Sequence, residues 1–328
     1  MIVSSAPLRV SFNGGGTDMP SYFRNKSGHC LTLTLNKNVY VSVNKSFGSQ
    51  FRVAYSKIEM ADSLEEIEHP IVRNSLLLLG IKDYVEIVSV ADIPSSGSGL
   101  GSSSAFTISL LSSLSRYLGK SYSRVDLAKM ACAVEIEMCG EPIGKQDQYA
   151  IALGGLNHFT FQSDGEVISD SEIPKLSTEN FLDSLNSFSH FYHIDRPRNA
   201  NKILQAQSQK LFPGNENFNL TSKLGDLCLD SKQYLMNMNF ELLGKALTEG
   251  WRIKSTLNGD SEDLEIMRIF NLINSSDAFG AKLLGAGQGG FVFILAPNTH
   301  RSYLDRIMSP YKRVDFKFSD NKIQTWEL

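Results

Sequence analysis

No stretch of this chain is apolar for long enough to cross a bilayer. Its most hydrophobic short run is Leu76–Leu79, against the roughly 20 residues that a spanning helix needs. Cysteine is scarce as well. Cys30, Cys132, Cys139 and Cys228 form no CxxC pair and no dense disulfide pattern, which fits a reduced, cytoplasmic setting. Neither sign of charge is in excess: 32 basic and 35 acidic residues leave a net charge of −3, without the basic footprint of a nucleic-acid binder. The histidines (29, 69, 158, 190, 193 and 300) lack metal-ligand spacing, which argues against a zinc site. The opening MIVSSAPLRVSF has no basic stretch followed by an apolar core and does not read as a signal peptide. These absences point to a cytoplasmic monomer or homodimer that acts on something small, with no nucleic-acid or membrane partner.

What is present suits a large folded chain: 328 residues, 42% hydrophobic, can bury two ordinary cores. The first 56 residues are strand-like, with VSF, CLTLTL, VYVSV and FRVAYS rich in β-branched and aromatic residues. A helix is expected over 70–80, opened by Pro70, then a strand at 84–91 and helices near 102–118, 123–139 and 145–153. LNHFTF (156–161) reads as a strand. The polar segment 164–186 shows no clear periodicity and marks the expected boundary between lobes 1–175 and 186–328. Beyond it come a strand at 187–194, helices near 198–211, 219–237, 239–257 and 262–274, strands AKLLG and FVFILA, a helix from about 299, and strands VDFKF and IQTWEL. Early strands and grouped helices predict an α+β fold in two lobes.

Glycine is concentrated in three clusters: NGGGTD (13–18), SGSGLGSSS (96–104) and GAGQGG (285–290). Any one alone can be a plain turn. The second lies between a strand and a helix, where backbone N–H groups and the helix dipole converge on one point and favour phosphate. Its serines add hydroxyls for phosphate or magnesium, and no Walker-type Gly-Lys-Ser/Thr follows. The third cluster satisfies G-x-G-x-x-G through Gly285, Gly287 and Gly290, but FVFILA, a strand pattern, comes next. The dinucleotide reading therefore fails, because that fingerprint opens a helix.

One carboxylate is out of place by helical geometry. At about 100° per residue, Leu127, Ala131, Val134 and Met138 share an apolar arc of the helix 123–139, and Glu135 falls inside it. A buried carboxylate needs either a basic partner or a metal ion. Glu137, two residues on, faces elsewhere and reads as solvated.

The order and spacing of PLRVSFNGGGTD, GSGLGSSSAF and KLLGAGQGG resemble the three motifs of the GHMP kinases over essentially the whole chain. The resemblance implies a two-lobed fold, with a ribosomal-S5-like N-terminal lobe that binds ATP and a ferredoxin-like C-terminal lobe that walls the substrate cleft. GGGTD together with GKQDQYA (144–150) is most similar to the branch that phosphorylates the anomeric hydroxyl of D-glycero-D-manno-heptose 7-phosphate for surface polysaccharide synthesis. The alternatives are a 1-kinase for an unphosphorylated sugar such as fucose or galactose, and a non-catalytic sugar sensor of the same fold.

Carried onto this sequence, the resemblance implies ATP binding by Gly97, Ser98, Gly99, Leu100, Gly101, Ser102, Ser103 and Ser104, and magnesium binding by Ser103 and Glu135. It implies Asp147 as the base, with Arg9 beside it. Read from the residues alone, Asp147 is equally a first-turn aspartate favoured by the helix dipole, and Arg9 a strand-edge surface arginine. The implied sugar site takes in Gly15, Gly16, Thr17, Asp18 and Gly287. Asp18 could instead cap the MPSYF segment. Arg196, in DRPRNANKIL with Arg198 and Lys202, supplies the forked cation that suits a phosphate on the acceptor.

Overall fold

The computed structural model describes residues 1–94, 98–170, 172–173, 178–194, 211–258, 263–285 and 289–328. It has two sheets. In the first, strands β1 (Ile2–Asn13), β2 (Gly28–Lys45), β3 (Phe51–Ala54), β4 (Ile58–Ala61), β5 (Val85–Ala91), β6 (Leu156–Phe161) and β7 (Val167–Ser169) are joined by the last strand of the chain, β12 (Gln324–Glu327). Their order is β12-β1-β2-β5-β3-β4, with β6 and β7 branching from β2. The second sheet contains β8 (Ser189–Ile194), β9 (Gly280–Leu283), β10 (Gly290–Leu295) and β11 (Lys312–Val314) in the order β11-β8-β10-β9.

CLTLTL and VYVSV, read above as two strands, are one strand of 18 residues. The polar Asn36-Lys37-Asn38 interruption does not end it because distant groups hold it extended. Asn36 N–H donates to Lys317 O at 2.8 Å and Asn38 N–H to Asp92 Oδ2 at 2.8 Å. The strand then serves two neighbours. Residues 28–33 pair with β6, residues 39–45 pair with β5, and β1 runs along both halves with register shifts after Pro7 and Ser11. A proline lacks the ladder N–H, so irregularity beside Pro7 is expected.

The helices are α1 (Pro20–Phe23), α2 (Pro70–Leu79), α3 (Ser102–Tyr117), α4 (Arg124–Cys132), α5 (Gln146–Leu153), α6 (Glu179–Ser187), α7 (Glu216–Met236), α8 (Phe240–Asn258), α9 (Leu264–Asn274) and α10 (Arg301–Ile307). Pro70 does open α2, and Gly80 ends it in a left-handed conformation with φ of 70°. The serine-rich α3 is buried against β1 and β2. Its hydroxyls satisfy backbone groups there: Ser109 donates to Ser4 O at 2.8 Å and Ser113 to Val41 O at 3.0 Å.

The structure adds to or alters the sequence reading at three places. The segment 164–186, which shows no clear periodicity in sequence, contains β7 and most of α6, and Thr178 caps α6 by accepting from Phe181 N–H. VDFKF is a strand only through Val314. The terminal strand pairs Ser4 with Thr325 in the first sheet, so the chain ends away from the sheet of β8 to β11. The expected helix over 198–211 falls almost wholly outside the described residues.

One aromatic cluster joins the sheets. Phe12 of β1 lies 5.5 Å from Phe318 and 6.1 Å from Phe293 of β10, which stacks on Phe191 of β8 at 4.9 Å. Fixing the sheets to each other in this way sets the geometry of the cleft between them.

Candidate active site

The cleft is a cavity of about 400 Å³. From the first sheet and its helices it takes Arg9, Gly15, Gly16, Asp18, Glu135, Gln146, Asp147 and the loop into α3. Gly250, Trp251, Lys254, Lys282 and Gly285 close it from the other side.

The loop is shaped by backbone requirements. Gly99 and Gly101 have φ of 75° and 77°, values that L side chains rarely adopt. At Gly101 a Cβ would also stand 2.9 Å from Ile151 Cδ1 and 3.4 Å from Arg9 Cγ. α3 starts immediately after, without a side-chain cap, so its first-turn N–H groups remain available for an anion. Ser98, Gly99, Gly101, Ser102, Ser103 and Ser104 all line the cavity. Leu100 does not; its side chain is buried in the core and its carbonyl accepts Arg9 N–H at 3.0 Å.

Glu135 sits where the helical arc placed it, 1% exposed. Ser103 Oγ donates to its Oε1 at 2.9 Å, and Ser104 Oγ and Gln148 Nε2 donate to its Oε2 at 2.8 and 2.6 Å. No basic side chain pairs with it among the described residues, so the ion-pair alternative has no partner there. Burial pushes its carboxyl above the ordinary 4.5, against the pull of these donors. The helix is π-wound from Ala133 to Met138, and such turns gather at functional sites. The wider winding breaks the 100° count, and Met138, expected on the apolar arc, is 40% exposed. Glu137 is exposed, as expected.

Arg9 is no surface arginine. It is 5% exposed and grips Asp147 with both arms of its fork, Nε to Oδ1 at 2.9 Å and Nη2 to Oδ2 at 2.6 Å, while Nη1 donates to Gly99 O at 2.8 Å. Asp147 Oδ1 also accepts from Gln146 Nε2 at 3.0 Å. Each carboxylate oxygen has two lone pairs, so Oδ2 keeps one for a further donor.

Asp18 does not cap α1, whose N-cap is Met19. Its oxygens accept Gly16 N–H at 2.9 Å and Gln146 N–H at 3.0 Å, tying the first glycine cluster to α5. Burial raises its carboxyl from 3.8, against those bonds. Gly15 and Gly16 line the cavity, whereas Thr17 does not reach it. Thr17 is fully buried, and its hydroxyl contacts Gly14 O and His29 O and accepts His29 N–H. Gly97, Gly287, Arg196, Arg198 and Lys202 lie outside the described residues.

The sequence reading passed over four side chains. Ser11 donates to Gln146 Oε1 at 2.9 Å, and Gln148 holds Glu135. Lys282 Nζ donates to Ser11 O and Phe12 O, both at 2.7 Å, and burial drives its ammonium well below the ordinary 10.5. Lys254 lies on the stripe of α8 that buries Leu243, Leu247 and Trp251. Burial lowers its ammonium too, and Asp18 opposes that shift. A lysine inside an apolar stripe is the same signal that exposed Glu135.

Residues 50–155 match the GHMP kinases N terminal domain and residues 231–306 the GHMP kinases C terminal domain. The chain is 26% identical to a D-glycero-alpha-D-manno-heptose 7-phosphate kinase of Campylobacter jejuni, with 100% of this chain and 99% of that protein covered. It is 24% identical to a bifunctional fucokinase/GDP-fucose pyrophosphorylase of Arabidopsis thaliana over 90% of this chain and 30% of that protein. A solved D-glycero-D-manno-heptose 1-phosphate kinase from Bacteroides thetaiotaomicron superposes with a TM-score of 0.80 at 22% identity, covering 100% and 99% of the two chains. The galactose complex of Lactococcus lactis galactokinase superposes at 0.77 with 15% identity, over 98% and 95%.

Proposed function

The chain belongs to the GHMP kinases, and from that premise we propose that it transfers the γ-phosphoryl group of ATP to the anomeric hydroxyl of D-glycero-D-manno-heptose 7-phosphate. One observation carries this reading. A single cavity holds the Arg9-gripped carboxylate of Asp147, the Glu135–Ser103 pair and the open N-terminus of α3, brought together from remote parts of the chain. The acceptor follows from the Campylobacter jejuni relative, which matches from end to end.

Phosphoryl transfer depends chiefly on positioning and charge stabilisation. The N–H groups of Ser102 to Ser104 and the hydroxyls of the loop hold the phosphates of ATP. The donor set at Glu135 fits magnesium: a buried carboxylate with only neutral partners, beside the Ser103 hydroxyl, offers the oxygen ligands that this ion prefers. Bound there, magnesium would neutralise charge on the phosphates. Asp147, held by Arg9, accepts the proton of the acceptor hydroxyl. The sugar oxygen then forms its bond to phosphorus as the bond to the β-phosphate oxygen breaks, and ADP leaves with that electron pair. Arg9 fixes Asp147 toward the acceptor and stabilises negative charge. Asp18 and the glycines of the first cluster border the sugar, and for Arg196 the phosphate role rests on its sequence context alone. ATP and sugar phosphates as substrates suit a cytoplasmic location, and no helix among the described residues is long and apolar enough to cross a membrane.

ADP release measured with heptose 7-phosphate, fucose and galactose, with and without magnesium, tests the reading. Magnesium-dependent turnover preferring the heptose phosphate is expected. A preference for fucose or galactose would identify a kinase for unphosphorylated sugars, and sugar binding without ADP release would identify a sensor.

A further inference from the structure

Among the described residues, three cationic side chains line the cavity: Arg9, Lys254 and Lys282. Two are engaged. Arg9 grips Asp147 and Gly99, and Lys282 is bonded to two carbonyls of β1. Lys254 has no hydrogen bond or ion pair among the described residues, although it is only partly exposed. Asp18, Asp147 and Arg9 act on it through space; Asp18, the strongest of these, already accepts two backbone N–H groups, and Asp147 is gripped by Arg9. An ammonium drawn from water without a partner is costly, which marks Lys254 as a cation prepared for something that arrives.

Its place is beside the first glycine cluster. A Cβ on Gly15 would lie 3.4 Å from Lys254 Nζ and 3.6 Å from Gln146 Oε1, so the ammonium borders the first glycine cluster. Lys254 also lines a small adjoining recess with Gly15, Gly16, Thr221 and Leu224, to which neither the loop into α3 nor Asp147 contributes. The ammonium thus opens onto a recess beside the first glycine cluster that the loop into α3 does not reach, while it also borders the main cavity, where Arg9 and Asp147 act on it through space. A neutral sugar would offer it only hydroxyls, whereas a phosphate offers charge and several acceptors.

We propose that Lys254 anchors a phosphate already present on the acceptor, making it the residue that selects phosphorylated over unphosphorylated sugars. The proposal rests on the sugar-kinase reading above and gives that reading a residue within the described part of the chain.

The test compares steady-state kinetics of the full chain and its Lys254→Met and Lys254→Arg variants. The sugars are D-glycero-D-manno-heptose 7-phosphate and the same heptose without phosphate. Lys254→Met should raise KM for the heptose phosphate by about ten- to a hundredfold, the size of a charge-assisted contact. KM for the unphosphorylated heptose should rise at least about tenfold less, and Lys254→Arg should recover most of the loss. Equal shifts for both sugars, or a fall in kcat at constant KM, would overturn the proposal while leaving the heptose-phosphate reading standing. A wild-type preference for the unphosphorylated sugar would overturn that reading as well. Binding gives a second readout that needs no turnover. Trp251 lines the cavity, so its fluorescence should report heptose 7-phosphate at lower concentration in the wild type than in Lys254→Met. Coincident titrations would refute the anchor. If Lys254→Met does not fold, Lys254→Gln takes its place.

Discussion

Replacing Glu135 by glutamine removes one buried negative charge at nearly constant volume, and its effects on stability and on turnover should have opposite signs. The carboxylate accepts three side-chain hydrogen bonds, from Ser103, Ser104 and Gln148. A bond to an ionised acceptor is worth about 1.5–3 kcal/mol and a neutral one about 1 kcal/mol, so three weakened bonds cost roughly 1.5–6 kcal/mol. Against this, an ionised carboxylate buried without a counter-charge carries a desolvation penalty of several kcal/mol, which the amide avoids. Burial is the larger influence here, because it lifts Glu135 above 4.5 despite the donors. Gln148 Oε1 is a buried acceptor with no hydrogen-bond partner among the described residues, and the amide adds a donor beside Gln148. We therefore expect Glu135→Gln, free of metal at neutral pH, to be more stable than the wild type by on the order of 1 kcal/mol, a rise of about 2 °C in Tm.

The pH dependence follows from the same shift. A carboxyl raised in the folded state holds its proton more tightly there than in the unfolded chain. Its stabilising contribution is complete below 4.5 and is lost as pH rises through the folded value. The advantage of the variant should therefore grow across that window. Magnesium with ATP should raise the wild-type Tm, by linkage, more than that of the variant. Turnover should fall by at least about 10²-fold, as when a group stabilising transition-state charge is lost. Calorimetry with and without magnesium, paired with ADP release, reads both effects. A variant with normal magnesium-dependent turnover, or one whose Tm drops by several degrees, would show that Glu135 is a structural carboxylate. Glu137→Gln, at an exposed position, is the control and should shift stability by no more than about 0.5 kcal/mol.

Asp147→Asn should lower kcat by about 10²-fold or more with ATP affinity preserved in a nucleotide titration; a collapse of ATP affinity would place Asp147 in the nucleotide site instead. Arg9→Lys loses the two-armed grip on Asp147 while keeping the charge, so kcat should drop about tenfold or more, and an unchanged kcat would show that orientation of the carboxylate does not matter. Gly280→Ala places a Cβ 1.9 Å from Gly244 O, where backbone must move; thermal unfolding should show a loss of about 1–3 kcal/mol, and an unaltered Tm would contradict the close approach of β9 to α8.

What could be read from residue order depended on how local the cause was. Pro70 announced α2 because its effect on the backbone is confined to its own turn. Glu135 was visible because a charge on an apolar arc stands out over four turns of helix, and Lys254 on the stripe of Leu243, Leu247 and Trp251 was open to the same count. Lys282, alone in the apolar FGAKLLG, carried a weaker version of that signal. The continuity of β2 was not legible, since what carries it past Asn36 is a carbonyl at Lys317. Nor was the placement of β12, because Ser4 finds Thr325 from the opposite end of the chain. The polar 164–186 stretch hid the start of α6 because a nine-residue helix with two buried side chains is too short for its period to show. The grip of Arg9 on Asp147 joins residues 138 positions apart; spacing offers no hint of it, and only likeness between motifs did.

The π-wound turn at Ala133–Met138 makes this helix unequally tolerant of shortening. Such a turn closes i→i+5 bonds, as Cys139 N–H does on Val134 O at 2.9 Å, and so accommodates one residue more than an α-turn. Deleting Glu137, on the outer side and after the carboxylate, could relax the segment to ordinary α-winding with Glu135 still facing Ser103. Deleting Ala133, only four positions earlier, would absorb the same surplus but turn Glu135 by about 100° away from the loop. Two losses of a single residue within one turn would then have opposite consequences, one tolerated and one fatal to turnover, and the position of the gap rather than its length would decide.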